Sequence, residues 1–384
     1  MDKIRYIIIF TLLFAWGACS SDVEQEVVPP QPEEASSIVS FSAAMNKEQG
    51  DGDESSSYFT DKDEIRICTP VSYSNPDFKD GAKIYTFKET KKEDYPYKFI
   101  AKEKNDEGTK QDENNAYGGF NWLTLEPTSI YYIFEAMYFP GNEYYDKVEA
   151  DQRIEENFKK VDLLLAHHRM PISERGKPVK LTFHHAFAKV RVKITIPEHE
   201  NPEDGVFPLN ALKNVYMGEM LTSYTVNYAE VISNDKLRTT AGDMTKPREQ
   251  VYMYRVEEPG VRQSSDKKRT YVYEGIVPAQ KFRYEGEKFL FFEVAKHDGI
   301  HNGKEDDDED GEENSNEKNK WVTYKFTPDD KGGFSLESSK ILLVELTVKP
   351  EEQEVVVLKS EVLPWTEATT TILAGKENGT SSEN

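Results

Sequence analysis

The chain has 384 residues, among them 21 Tyr and 20 Phe, so it is long enough for two domains that each bury a core. Its formal net charge of -22 at pH 7 argues against nucleic acid or an anionic lipid surface as a partner, because their phosphates would be repelled. Part of this negative charge is concentrated in one segment, because residues 304–320 carry nine acidic and three basic side chains.

Residues 1–18 have the pattern of a secretory signal. Two basic residues precede an apolar stretch at 6–16, which is too short to span a bilayer as a mature helix. Gly17 and Ala18 then stand directly before Cys19. Small residues followed at once by Cys resemble a bacterial lipoprotein signal, which implies that Cys19 becomes the acylated first residue of the mature protein. Ordinary cleavage beside a chance Cys is the alternative.

The residues after the signal predict a tether over 19–35. Residues 20–26 are acidic, which resembles the signal that sends such lipoproteins to the cell surface, and residues 27–35 are rich in Pro and Glu, as in an extended linker. Acylation of Cys19 would leave Cys68 as the one other cysteine, so no disulfide framework is predicted. Cys68 lies in a strand-like alternation and is predicted to be a small half-buried hydrophobic residue.

A short first strand is predicted at 38–43. The loop that follows, 46–57, is rich in Gly, Asp, Glu and Ser, and Lys47 is its only basic residue. Helical periodicity is not sustained anywhere, and the best helix candidate is the short segment 151–160. Charged turns with Gly, Asn or Pro separate the further strand candidates, which are 65–70, 83–88, 97–102 and 130–139.

The stretch 161–197 organises the rest of the chain. Apolar residues at 161–166 lead through a turn-rich link to a run that alternates from position 186, which predicts a strand with one wet face. The apolar face consists of Ala186, Ala188, Val190, Val192, Ile194 and Ile196. The wet face consists of Lys189, Arg191, Lys193 and Thr195. Leu181, Phe183 and His185 have the opposite parity. The inward face therefore changes near Ala186, as at a bulge or where a strand leaves one sheet for another.

Polar residues at 198–204 predict a domain boundary. Seven strand candidates follow, at 211–217, 223–231, 269–276, 288–294, 321–326, 340–348 and 355–362. The last two are apolar on both faces, as expected for central or doubly covered strands. The pattern favours an all-β protein of two tandem β-sandwiches. The expected divisions are an N-terminal sandwich at 36–197, a C-terminal sandwich at 205–374 with an acidic insertion at 298–320, and a polar tail at 375–384.

Two histidine pairs are the obvious candidates for a metal site: His167 with His168, and His184 with His185. Adjacent residues of a strand point to opposite faces, so neither pair readily presents both rings to one ion. The sequence contains no Gly-rich phosphate loop, nucleophile elbow or zinc-spaced Cys pair. We therefore predict no catalytic residue, no cofactor and no metal ligand.

The acidic stretch 306–317 fits the pattern of a calcium loop, with acids at the first, third and fifth places, Gly311 at the sixth and Glu317 at the twelfth. The flanking sequence predicts strands rather than the helices of an EF-hand. A solvated insertion between two strands is therefore the favoured interpretation.

Clustered aromatic residues leave a second function open. They are Trp122, Tyr131, Tyr132, Tyr138, Phe139, Tyr144, Tyr145 and Trp365. If these rings formed an exposed platform, sugars would stack on it, and the protein would be a surface glycan-binding lipoprotein. In a β-sandwich, most such residues are core or half-buried strand positions instead.

Several stretches carry a family resemblance when they are taken in order. They are 63–67, Trp122 ahead of 132–140, 162–166, 181–190, 275–280, and the strand pair 340–348 and 355–362 ending at Trp365. Together they resemble the fimbrillin family of Bacteroidota, whose members are subunits and tip proteins of surface fimbriae. The resemblance implies two transthyretin-like β-sandwiches and a lipoprotein precursor. It also implies assembly by strand exchange, in which a protease cuts after a basic residue, the first strand leaves, and a strand of another subunit fills the groove.

On this resemblance, the chain is expected to be a surface-exposed outer-membrane lipoprotein of the fimbrium, with a structural or adhesive role and no enzymatic activity. Its expected partners are other fimbrial subunits, the outer membrane through a lipid such as palmitate on Cys19, and a host or microbial surface ligand. Stalk subunits of the family are usually cut after Arg, whereas Lys47 is the basic residue available here. Stalk, anchor and tip roles therefore stay open.

Overall fold

The computed structural model describes residues 37–45, 58–69, 82–103, 118–142, 145–226, 240–256, 262–263, 268–281, 289–297, 321–326, 335–349 and 355–365. Strands dominate these residues, and the one α-helix among them is the short α1 (Glu155–Lys160). The predicted all-β class is confirmed. Within the described ranges, no helix has the length and apolar character that crossing a membrane requires.

Seven strands form a closed barrel in the N-terminal half, in the order β1-β4-β3-β2-β5-β6-β7. They are β1 (Phe41–Met45), β2 (Glu64–Cys68), β3 (Lys83–Thr90), β4 (Tyr97–Ala101), β5 (Tyr131–Tyr138), β6 (Leu164–Pro171) and β7 (Val179–His185). Their inward side chains form one apolar core. The expected two-sheet sandwich is replaced here by a ring, because β1 pairs with both β4 and β7.

The chain leaves the barrel after His185 and enters a different sheet at β8 (Ala188–Pro197). This confirms the change of inward face predicted near Ala186. Phe183 faces the barrel core, whereas Val190 faces the core of the second sheet. One run of sequence therefore supplies consecutive strands to two cores.

The C-terminal half is a sandwich of two sheets around a second core. One sheet has the order β13-β15-β8-β20-β21 with β14 paired to β15, and the other has the order β12-β9-β17-β18. Two small sheets pair β10 with β11 and β16 with β19. The strands are β9 (Leu212–Leu221), β10 (Tyr224–Val226), β11 (Thr240–Gly242), β12 (Arg248–Tyr252), β13 (Tyr254–Val256), β14 (Arg262–Gln263), β15 (Lys268–Val277), β16 (Gln280–Lys281), β17 (Leu290–Ala295), β18 (Trp321–Phe326), β19 (Ser335–Leu336), β20 (Lys340–Val348) and β21 (Val355–Pro364).

The expected boundary at 198–204 differs from this arrangement, because β8 before it already belongs to the C-terminal sheet. Glu198 is buried rather than solvated. Its carboxylate accepts hydrogen bonds from the Tyr271 hydroxyl and from the backbone amides of Asn210 and Ala211. The segment is thus an exposed loop over residues 200–204 that is anchored at its start by the buried Glu198. A buried carboxylate with three donors is stable where an unpaired one would not be.

The face of β8 that was predicted to be solvent-exposed is exposed at one end of the strand only. Lys189 and Arg191 are buried, and both form ion pairs with Glu274 of β15. Lys193 and Thr195, further along the strand, are partly exposed. The prediction was wrong at the first two positions because the counter-charge comes from a distant strand, and a paired charge can be buried.

The two apolar strands at the end of the chain occupy different places in their sheet. β20 lies between β8 and β21, as expected for a central strand. β21 ends the sheet within the described residues, and Val362 in it is 56% exposed. Of the two places predicted for these strands, central or doubly covered, the central one therefore holds for β20 and not for β21.

Candidate functional site: the strand that closes the barrel

β1 is the element around which the N-terminal barrel closes. All five of its residues are buried. Phe41, Ala43 and Met45 face the core together with the preceding Val39. The Phe41 ring lies edge-on to Tyr85 and Phe134, with ring centroids 4.6 and 5.3 Å apart. Such edge-to-face pairs add to the free energy gained by burial alone.

The two backbone edges of β1 are used differently. Along β4 it runs antiparallel, with Phe41 opposite Phe99. Along β7 it runs parallel, with Phe41 opposite Val179 and Met45 opposite Phe183. On the outer side the Lys98 ammonium donates a hydrogen bond of 2.9 Å to the Ser42 hydroxyl. One five-residue strand therefore supplies two ladders of hydrogen bonds.

A segment at 118–125 closes the end of the barrel at which β1 begins. The amide of Trp122 donates to the Ser37 carbonyl, and the amide of Val39 donates to the Phe120 carbonyl. Gly119 packs so tightly that a Cβ there would lie 2.6 Å from the Cβ of Ala101. Burial raises the pKa of the Tyr85 hydroxyl, which accepts a hydrogen bond from the Phe120 amide.

The opposite end of the barrel meets the C-terminal half through a polar cluster. The Asp162 carboxylate accepts hydrogen bonds of 2.6 Å from Tyr58 Oη and from His185 Nδ1. The His185 ring stacks on Trp365, which follows β21, with centroids 3.8 Å apart and planes 4° from parallel. Lys189 Nζ lies 4.4 Å from the centroid of the same Trp365 ring. We call Tyr58, Asp162, His185, Lys189 and Trp365 the junction cluster.

The charge on Asp162 is stabilised by this cluster. Burial on its own would raise the pKa of the carboxyl group, but His185, Lys189 and the Tyr58 hydroxyl together hold the pKa below its usual value. The ionised form of Asp162 is therefore the one that the fold favours.

Two buried glutamines bind backbone groups through their side-chain amides, and one of them, Gln152, adds a second contact between the halves. The side-chain amide of Gln152, which lies just before α1, exchanges two hydrogen bonds with the backbone of Ile276 in β15, at 2.7 and 2.8 Å. The side-chain amide of Gln280 likewise exchanges two hydrogen bonds with the backbone of Leu221, at 2.9 and 3.1 Å. Each amide thus replaces a missing strand partner.

The two histidine pairs that were considered as metal candidates do not converge on one site. His185 belongs to the junction cluster. His167 Nδ1 lies 2.6 Å from Glu135 on the neighbouring strand, which is a buried cross-strand pair. In the part of the chain that the structure describes, no group of three or more His, Cys, Asp or Glu side chains is placed to hold a metal ion. Cys68 is buried on β2, more deeply than predicted.

The aromatic residues proposed as a sugar platform are mostly inside the molecule. Trp122, Tyr132, Tyr138, Phe139 and Trp365 are buried. Tyr131 and Tyr145 are partly exposed, and Tyr144 lies outside the described residues. These residues therefore do not provide the exposed platform that the glycan hypothesis requires.

Several predicted features also lie outside the described residues. They are the signal at 1–18, Cys19, the tether at 19–35, Lys47 and its loop, the acidic insertion at 298–320, and the tail at 375–384.

Sequence reasoning found the first strand but placed it at 38–43, two to three residues early. Ile38 forms only an isolated bridge to Asn121, and the regular strand begins at Phe41. Nothing in the sequence marked β7 as the parallel partner of β1. The matching alternation of Val179, Leu181 and Phe183 was the one available signal.

These features define a class of all-β protein. In this class the first described strand closes a barrel, and the barrel is joined to a two-sheet sandwich. A family model described as fimbrillin-like matches residues 59–365 of the chain. The chain belongs to the fimbrillin-like family. The family is structural and adhesive rather than enzymatic, and its members are associated with fimbriae at the cell surface.

Three solved structures to which the chain is similar come from Bacteroides ovatus and Porphyromonas gingivalis. A candidate cell adhesion protein from Bacteroides ovatus is 13% identical, covers 85% of this chain and 97% of its own, and gives a TM-score of 0.47. The tip fimbrial protein Mfa3 and the fimbrial anchor protein Mfa2, both from Porphyromonas gingivalis, are each 8% identical and give TM-scores of 0.34. They cover 85% and 86% of this chain and 98% of their own chains. No curated protein matches the chain.

Proposed function

We propose that this protein is a fimbrial subunit that assembles by exchanging β1 for a strand of another subunit. The observation that carries the proposal is that β1 alone closes the barrel. Without it, β4 and β7 would be the two edges of an open six-stranded sheet. Open edges of this kind bind an added strand through backbone hydrogen bonds.

The groove left by β1 would also be apolar. Val39, Phe41 and Met45 are buried against the barrel core. Each such side chain gains roughly 1.5–3 kcal/mol on burial, so an incoming strand with apolar residues at alternate positions would recover that free energy. The exchange requires a strand of matching alternation rather than any one sequence.

The chain beyond the loop after β1 is held independently of β1. The Phe59 ring is fully buried and contacts the rings of Tyr97, Phe99 and Tyr138. The Tyr58 hydroxyl is bound to Asp162 in the junction cluster. A cut between β1 and Tyr58 would therefore free the strand and leave the remaining six strands anchored.

We place the uncut chain at the outer membrane through a lipid on Cys19, with residues 19–35 as the tether, and the cut that frees β1 would also release the remaining chain from that lipid. We also place the division between the two halves at Ala186 and Phe187, where the chain passes from β7 to β8. A surface ligand and other fimbrial subunits are the proposed partners. No observation favours glycan binding as the main role, because most of the aromatic side chains that suggested it are buried.

Sizing and mass spectrometry of the protein released from its native cells test the proposal. Strand exchange predicts a ladder of SDS-resistant multimers built from a chain that begins between residues 46 and 58. An intact acylated monomer that begins at Cys19, without multimers, would contradict a stalk role and leave an anchor or a tip.

A further inference from the structure

The end of the barrel at which β1 begins carries an unusual share of exposed apolar surface. We call this end the outer pole, and it comprises 37–39, 100–103, 118–131 and 171–177. It lies opposite the end at which β7 leads into β8. Eight large apolar side chains are exposed in the described residues, and four of them are at this pole. They are Ile38 at 40%, Ile100 at 47%, Leu123 at 62% and Ile130 at 58% exposure.

These side chains come from separate segments that the fold brings together. Ile38 is bridged to Asn121, whose side chain accepts a hydrogen bond from the Leu123 amide. The Ile130 carbonyl accepts a hydrogen bond from the Ile172 amide at the same end. Single exposed apolar residues are common on soluble proteins and need no explanation, but convergence at one pole does.

The chain enters the fold at this pole. Ser37 is the first described residue, and its carbonyl accepts a hydrogen bond from the Trp122 amide. Cys19 precedes it by about 18 residues, a length that spans at most about 60 Å when fully extended and roughly 20–25 Å on average as a flexible coil. A lipid on Cys19 would therefore keep the outer pole within that distance of the bilayer surface.

The charge at the outer pole differs from that of the whole chain. Its described ranges contain three basic residues, Lys102, Arg175 and Lys177, and three acidic residues, Glu103, Glu126 and Glu174. The guanidinium of Arg169 lies 4.4 Å from the ring centroid of Tyr131. Tyr and Arg, each with an apolar body and a polar tip, are suited to the boundary between lipid and water. Among the described residues of the pole, the positive and negative charges therefore balance.

We propose that the outer pole is a lipid-contacting surface that docks the barrel on the bilayer, with Leu123 and Ile130 as its main contacts. The inference rests on the proposed acylation of Cys19 and concerns the uncut chain, in which β1 and residues 37–39 are still in place. In this orientation the junction cluster and the C-terminal sandwich point away from the membrane, toward partners.

A polarity-sensitive dye attached at one introduced cysteine tests the docking. Leu123→Cys reports on the pole, and Met244→Cys, which is 59% exposed in the C-terminal half, is the matched control. The uncut chain is tethered in two ways to phosphatidylcholine vesicles: by its own lipid on Cys19, or by an N-terminal polyhistidine tag on nickel-chelating lipid in a chain that starts at residue 20. Docking predicts a blue shift of the dye emission and quenching by brominated lipid at position 123, and neither at position 244.

The two tethers separate the possible failures. If the chain carries no lipid on Cys19 but the tagged chain shows the shift at position 123, the acylation proposal fails and the docking surface stands. Equal emission at positions 123 and 244 on the tagged chain would overturn the docking proposal. A concentration-dependent shift at position 123 without vesicles would overturn it as well, because the pole would then be a contact between copies of the chain.

With docking, Leu123→Ser together with Ile130→Ser abolishes the quenching of a dye at position 38, whereas Met244→Ser leaves it unchanged.

Discussion

The Asp162 carboxylate joins two parts of the barrel that are far apart in sequence. It accepts hydrogen bonds from Tyr58 and His185, and His185 in turn stacks on Trp365 from the end of the C-terminal sheet. A single carboxylate thus orients a ring that takes part in the contact between the halves. The cluster stabilises the ionised form of this carboxyl group, because it holds the pKa of Asp162 below the usual value of 3.8.

Asp162→Asn is expected to lower the free energy of unfolding by about 2–4 kcal/mol at pH 7, because it leaves buried donors without a charged acceptor. The effect is expected to depend on pH. A carboxyl group with a lowered folded-state pKa stabilises the fold above its unfolded pKa, and this contribution is lost as the pH falls through the folded-state value. Denaturant unfolding of both chains between pH 7 and pH 3 measures the difference.

The matched control is Asp151→Asn, which removes an exposed ion pair with Arg153. It is expected to change the free energy of unfolding by about 0–1 kcal/mol. A difference between wild type and Asp162→Asn that stays constant down to pH 3 would contradict the role given to the ionised carboxylate.

Two neighbouring glycines allow a clean test of packing at the outer pole. Gly118 and Gly119 have positive φ values of 80° and 70°, so alanine strains the backbone at either position. A Cβ at position 118 meets open space, whereas one at position 119 lies within 3 Å of Ala101 and of the Tyr85 hydroxyl. Gly119→Ala is therefore expected to cost about 1–3 kcal/mol more than Gly118→Ala in thermal or denaturant unfolding. Equal costs would mean that the segment 118–125 does not press on the barrel.

At the scale of elements, the Gln152 side chain completes the hydrogen bonding of β15. Gln152→Ala would leave the amide and carbonyl of Ile276 unpaired in a buried position, so a loss of about 2–4 kcal/mol is expected. Faster protease cleavage around α1 should accompany the loss, because Gln152 holds that segment on the C-terminal sheet. Gln250→Ala, on the exposed part of β12, should change stability by less than about 0.5 kcal/mol. An effect of Gln152→Ala no larger than that of Gln250→Ala would contradict the pairing.

The alternation of apolar and polar residues within one strand predicted where that strand lies and which of its faces is buried. It did not predict which other strands pair with it. The change of parity near Ala186 predicted that a strand leaves one sheet for another, and β7 and β8 confirm it. The sequence could not place β8 in the C-terminal sheet, because its partners β15 and β20 lie far along the chain. For the same reason Lys189 and Arg191 were predicted to be wet, although Glu274 makes their burial stable.

At the scale of the whole molecule, the family could be predicted from the sequence, whereas the position of the closing strand β1 in the barrel could not. The family rests on short motifs along the chain, and the fimbrillin-like match over 59–365 confirms it. The first strand was predicted, but its place between β4 and β7 was not, because the parallel contact with β7 joins residues that are far apart in sequence. Alternation indicates which face of a strand is buried and carries no information on which strand lies beside it.

The central claim is that β1 leaves the barrel during assembly, and a disulfide that holds it in place tests this most directly. Ser42 and Lys98 face each other across the antiparallel pair of β1 and β4, a position that suits a disulfide. The chain with Ser42→Cys and Lys98→Cys is expressed in the native cells, with Ser42→Cys alone as the matched control, and SDS-resistant multimers are compared before and after mild reduction. Strand exchange predicts multimers of the control, none of the oxidised double variant, and their return on reduction. Multimers of the oxidised double variant at the level of the control would show that assembly does not require release of β1, and would contradict the account.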